Sequence, residues 1–219
     1  MLPEMTLPRR LASEAIGTAL LLAAVVGSGI MGERLAGGNM AIALLANSLA
    51  TGAALLALIL AFEPAAHFNP LVTIVSASRR ETRWRDVAPI VAVQVAGAFA
   101  GVAIANLMFN EPAFVNSKHA REGPSQWLSE AVATFGLILT ILASRRHAPF
   151  AVAAYIMAAY WFTASTSFAN PAVTLGRSAT STFAGISPAD VPGFVAAQAV
   201  GAAAAALLCR WLVPREEPS

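Results

Sequence analysis

Two short stretches of this chain carry the same residues in the same order, and each follows a long apolar run. They are His67-Phe68-Asn69-Pro70-Leu71-Val72-Thr73 and Phe168-Ala169-Asn170-Pro171-Ala172-Val173-Thr174, which share Asn-Pro-x-Val-Thr. No other Asn in the chain precedes a Pro. Asn is a favoured helix N-cap because its side-chain oxygen accepts from the first free backbone N–H groups. Pro is pre-organised for the first helical position and gives up only a donor that has no partner there. Each copy therefore reads as the start of a short helix, over 69–78 and 170–179. A helix of about ten residues is roughly 15 Å long, half the hydrocarbon thickness of a bilayer. Such a segment cannot cross alone, and the irregular backbone at its tip is tolerated only inside protein or beside a watery cavity.

The membrane setting comes from composition. Only 12% of the 219 residues are charged and 57% are hydrophobic, whereas soluble domains carry about 25% charge. Apolar segments over 11–31, 40–62, 84–109, 125–143, 148–164 and 191–213 read as six membrane spans, with a polar loop at 110–124 and a polar tail. Arg9 and Arg10 ahead of the first run are also compatible with a signal peptide. The run's span-long length and the membrane character of the downstream sequence favour a retained span. The expected fold class is an all-α membrane protein, a single membrane domain over 1–219.

The halves repeat beyond the Asn-Pro turns. Ser13-Glu14-Ala15-Ile16-Gly17-Thr18 matches Ser129-Glu130-Ala131-Val132-Ala133-Thr134, and Gln94-Val95-Ala96-Gly97-Ala98 matches Gln198-Ala199-Val200-Gly201-Ala202. Three spans per half is an odd number, so the second copy (125–213) enters from the side opposite to the first (11–109). Such an inverted repeat places its site at the repeat interface near the midplane. With both termini cytoplasmic, Arg9, Arg10, Arg79, Arg80, Arg83, Arg85, Arg145, Arg146, Arg210 and Arg215 lie inside. Arg34, Lys118, Arg121 and Arg177 lie outside, a bias that obeys the positive-inside rule.

Inverted symmetry brings the two helix starts together near the centre, each carrying roughly half a positive charge from its macrodipole. Asn69 and Asn170 then donate amide N–H to a passing oxygen, in a site that favours neutral solutes with acceptor oxygens and repels cations. Simple capping explains each Asn locally but not the symmetric placement of two caps within a membrane. Glu14 and Glu130 are intramembrane carboxylates, a usual mark of function. Their repeat-related positions suggest support for the backbone N–H groups of the loops before each half-helix rather than a proton relay. His67 is expected at the cytoplasmic mouth, ordering the loop or lining the vestibule. Gly97, Ala98, Gly201 and Ala202 read as small residues for close helix contact, and Trp84, Trp127 and Trp211 as interfacial anchors.

Other classes find little support. The single Cys209 excludes an internal disulfide framework, and His67, His119 and His147 lack ligand-like spacing, so neither a metal nor a cofactor is expected. There is no nucleophile–base pair, no phosphate-binding glycine loop and no basic tract of a nucleic-acid binder. An ion-coupled secondary transporter of a small metabolite remains the alternative to a passive channel, because inverted repeats with broken helices occur there too.

Paired Asn-Pro-Ala boxes on inverted half-helices, with a Glu near the start of spans one and four, resemble the aquaporin (major intrinsic protein) family along essentially the whole chain. The resemblance implies a right-handed bundle of six spans plus two re-entrant half-helices. It also implies a homotetramer with one pore per subunit, and conduction of water or small neutral solutes. Pore-midplane positions carried over are Asn69, Pro70, Leu71, Asn170, Pro171 and Ala172. Two departures stand out: Leu71 replaces the usual Ala of the first box, and Val173 occupies the place where many members carry the constriction Arg. Family spacing assigns the other outer-constriction residues to Leu49, twenty before Asn69, and Ala158, twelve before Asn170. A Leu/Ala/Val neck is apolar and wide, similar to that of bacterial aquaporins associated with arsenic resistance. This narrower likeness implies arsenite or methylated arsenicals as cargo, alongside glycerol-like polyols, in a bacterial inner membrane. Arg177 lies seven residues after Asn170 on nearly the same helix face. It is expected either in the outer vestibule, where it recruits anionic or strongly dipolar solutes, or as a snorkelling side chain or a subunit-interface contact.

Overall fold

A computed structural model describes residues 5–63 and 67–213; the break at 64–66 and Arg215 lie outside the described residues. The chain forms α1 (Leu7–Leu35), α2 (Met40–Phe62), α3 (Pro70–Ser78), α4 (Trp84–Met108), α5 (Pro124–Ser144), α6 (Ala148–Phe162), α7 (Pro171–Arg177) and α8 (Val191–Leu212). Each starts where local chemistry allows it. Asn39 caps α2 by accepting from the N–H groups of Ala41 and Ile42, and Pro70 and Pro171 open the two short helices behind Asn69 and Asn170. Helices α1, α2, α4, α5 and α8 are long and apolar enough to cross a membrane. Helix α6 has 15 residues, about 22 Å, and the 3-10 turn Arg145–His147 extends it at its start. This is a multi-pass all-α membrane protein.

Packing follows the repeat. Helix α1 lies against α4 as α5 lies against α8, and α2 and α6 meet between the halves. Gly97 and Gly201 explain the first two pairs. A Cβ added at Gly97 would collide with the carbonyl oxygen of Ala15, and one at Gly201 with that of Ala131. Only a hydrogen lets the backbones approach so closely. The half-helices exchange partners: each of α3 and α7 contacts both α4 and α8, and the two contact each other. Trp84, Trp127 and Trp211 are exposed near helix ends, where amphipathic rings sit at a bilayer interface.

Candidate functional site

The site is built from two irregular turns. Phe68 and Ala169, each just before the key Asn, have left-handed backbone, with φ of 53° and 49°. This conformation costs a non-glycine residue roughly 1–2 kcal/mol, so its surroundings must hold it. Glu14 on α1 holds the first turn: the N–H groups of His67 and Phe68 donate to its two oxygens at 2.6 and 2.7 Å. Glu130 on α5 receives the N–H groups of Phe168 and Ala169, both at 2.9 Å. Gln94 Nε2 donates to Glu14 (2.9 Å) and Thr73 (3.0 Å), and Gln198 Nε2 donates to Glu130 (2.6 Å) and Thr174 (2.9 Å). The two threonines close the circuit by donating to the carbonyl oxygens of Asn69 and Asn170. Both carboxylates are fully buried, and every donor they receive is neutral, so the charge is spread over backbone and amide dipoles.

The left-handed turns aim two carbonyls across the repeat interface. Asn69 Nδ2 donates to Ala169 O at 2.8 Å, and Asn170 Nδ2 donates to Phe68 O at 2.7 Å. The Oδ1 atoms cap their own helices, Asn69 to the Leu71 N–H and Asn170 to those of Ala172 and Val173. An amide nitrogen carries two hydrogens. One is used in the crossed bond, which leaves one per Asn for the cavity that both residues line.

That cavity has a volume of about 270 Å³. Its walls are stripes with a repeat of four residues running in opposite directions: Thr51, Leu55 and Ile59 from α2 with its C-cap Glu63, and Ala148, Val152, Ile156 and Tyr160 from α6. One end carries Glu63, His67 and Ala148; the other carries Thr51, Tyr160, Phe168, Val173 and Arg177. At the first end Arg10 donates to the His67 ring (3.3 Å) and to Thr82 (3.0 Å), and His67 Nδ1 lies 3.0 Å from Thr73 Oγ1. At the second end the Thr51 and Tyr160 hydroxyls are bonded at 3.1 Å.

Two of the three expected neck residues are elsewhere. Leu49 is 51% exposed, Ala158 is also exposed, and neither lines the cavity. Both counts are two residues off. Thr51 is 18 residues before Asn69 and Tyr160 is 10 before Asn170, and a slip of two turns a side chain through about 200° to the opposite helix face. That end of the cavity therefore carries Val173 together with two hydroxyls rather than being apolar throughout. A partial signal was available: Tyr160 is in phase with Val152 and Ile156, and Thr51 with Leu55 and Ile59, a face that Ser48 shares.

Leu71 does not enter the lumen. It is buried against Val75, Ile138, Ala202 and Ala205, where the two alanines of α8 leave room for the larger side chain. Ala172 is buried on the other half-helix in a cluster with Ala98 and Val102 of α4. Arg177 is 2% exposed. Its Nε donates to Ala184 O, and its guanidinium carbon sits 3.4 Å from the centre of the Phe168 ring. Arg121, which the sequence offers only as an outer-side cation, lies 5.1 Å from the same ring.

Comparison with known proteins agrees with this geometry. The major intrinsic protein family model matches residues 1–148. The chain is 55% identical over 221 aligned residues to aquaglyceroporin AqpS of Rhizobium meliloti (strain 1021), covering 98% of this chain and 94% of that protein. It is 34% identical to aquaporin NIP3-1 of Oryza sativa subsp. japonica over 105 residues, 47% of this chain and 33% of that protein. In fold it resembles the X-ray structure of the aquaglyceroporin from Plasmodium falciparum, with a TM-score of 0.75 and 17% identity over 95% of this chain and 97% of that one. Proteins of this kind are channels, not enzymes. The matched family model, the near full-length similarity and the paired half-helices lead to one conclusion: the chain belongs to the major intrinsic protein, or aquaporin, family.

Proposed function

We propose that this passive channel for small neutral solutes is an aquaglyceroporin-type pore admitting glycerol-like polyols, arsenite and methylated arsenicals, with water as a further permeant. One observation carries the reading. A mostly apolar cavity is lined from both repeats by Asn69 and Asn170, each of which keeps an amide hydrogen for a passing oxygen. Pro70 and Pro171 start the two half-helices, Leu71 and Ala172 seat them, and Glu14 and Glu130 hold their turns. Val173, small and apolar where many relatives carry Arg, leaves the outer neck open to bulkier solutes, and Arg177 stands in the outer vestibule. The similarity to AqpS, an aquaglyceroporin by name, supports the solute class. His67 shapes the cytoplasmic mouth. The pore forms within a single domain from both repeats (11–109 and 125–213). The exposed apolar helix faces suit lipid and a homotetramer in a bacterial inner membrane, with both termini cytoplasmic.

Stopped-flow measurements on proteoliposomes test this with water, glycerol, arsenite and a methylated arsenical. Val173→Arg is expected to cut flux of the methylated arsenical by about tenfold or more while leaving water within about threefold, because a donor fork fills the neck. Equal loss for all solutes would remove the open-neck reading. Uphill accumulation of solute under an ion gradient would replace the channel with a transporter.

A further inference from the structure

We infer that Arg177, lying on the ring of Phe168, supplies the positive charge that rejects cations at the outer neck of this channel. The inference rests on the passive-channel reading and concerns what that channel excludes. The position directly after the second box, Val173, is apolar and lines the cavity. Arg177 follows it by four residues, so it shares the same face of α7. A helical side chain leans toward the N-terminus of its helix and covers the turn before its own Cα. The Arg177 head thus returns toward the level that Val173 leaves uncharged, and Arg177 is itself part of the cavity wall.

The side chain is held as a fixed element rather than a loose one. It is 2% exposed within a single chain, which rules out both reaching for the membrane surface and contacting a neighbouring subunit. Nε donates to Ala184 O, the backbone carbonyl of Arg177 accepts from the Ile186 N–H (3.3 Å), and the guanidinium stacks on Phe168. The Phe168 ring is itself braced edge-on by Phe194, with centroids 5.2 Å apart. No carboxylate pairs with Arg177 among the described residues, and its two terminal nitrogens make no hydrogen bond among them either. With 2% of the residue exposed, only the edge of the guanidinium reaches the cavity, and its charge acts there without a neutralising partner at contact distance. Arg121 stands 5.1 Å from the same ring but outside the cavity wall, and the buried Glu130 carboxylate acts on both guanidinium groups at longer range. Arg121 donates to Gly185 O (2.8 Å) and Ser165 O (3.2 Å), and its backbone N–H is tied to Asp190 (2.7 Å). A hydrated cation entering here must shed water beside the Arg177 guanidinium, whereas a hydroxyl-bearing solute meets the Thr51–Tyr160 hydroxyl pair.

The test uses full-length protein in liposomes and reads glycerol efflux, methylammonium uptake and proton leak from the same preparation. Arg177→Gln is expected to raise methylammonium permeability and proton leak, each taken relative to glycerol flux in the same preparation, by about fivefold or more. Arg177→Lys, which keeps the charge, is expected to leak far less than Arg177→Gln. Phe168→Leu leaves the arginine in place but removes its platform, and is expected to raise the leak by about twofold. Unchanged leak in both Arg177→Gln and Phe168→Leu, with normal glycerol flux, would overturn the inference. So would equal leak in Arg177→Lys and Arg177→Gln, since loss of shape rather than of charge would then be the cause. Wild-type vesicles that pass no glycerol would instead bring down the channel reading on which the inference stands, a result distinguishable from the others.

Discussion

Glu14 and Glu130 each receive two backbone N–H groups and one glutamine N–H. Replacing either by Gln puts an NH2 group opposite donors that need an acceptor. Hydrogen bonds to a charged group contribute about 1.5–3 kcal/mol each, so Glu130→Gln is expected to destabilise by about 3 kcal/mol, and Glu14→Gln by a similar amount. Thermal unfolding in detergent checks this; an unshifted melting temperature would mean that the carboxylates do not hold the turns. Leu71 offers a contrast. Leu71→Ala removes a buried side chain at the α3–α5–α8 contact and is expected to cost about 2–5 kcal/mol. Glycerol flux should persist, because Leu71 is outside the cavity wall; a widened pore would contradict that placement. At this scale the Asn-Pro turns could be recognised from their residues alone, because capping is local chemistry. The neck could not. A count along the chain lands on Leu49 and Ala158, while the helix phase that selects Thr51 and Tyr160 depends on connection length.

The elements were legible almost to their ends. A second span over 40–62 coincides with Met40–Phe62, and the short helix over 170–179 ends earlier, at Arg177. The repeat of Gln-x-x-Gly-Ala also points to the α1–α4 and α5–α8 seams, where carbonyls of Ala15 and Ala131 meet glycine. Gly97→Val or Gly201→Val must push a helix pair apart by an ångström or more. Either is expected to cost about 3 kcal/mol or more, at the upper end of overpacking. The readout is loss of the monodisperse peak in size-exclusion chromatography. Retention of a well-folded peak with unchanged melting temperature would show that these seams have slack.

For the whole molecule, the orientation inferred from charge makes a direct prediction. Lys118 lies in the loop between α4 and α5, Arg80 lies after α3, and both are exposed. Cys209 is buried with no exposed surface, so it gives little background. Lys118→Cys should react with a membrane-impermeant maleimide in intact cells, and Arg80→Cys only in inverted vesicles. The reverse pattern would place the termini outside. By itself, the sequence determined the membrane class, the number and order of the helices, and the family. Hydropathy, capping and the internal repeat are patterns along the chain and need no partner to be read. Only the tertiary structure decided which faces of α2 and α6 meet the lumen and that the head of Arg177 rests on Phe168. Those depend on loop length and helix rotation, through which residues far apart in the chain come to share one ring of the pore.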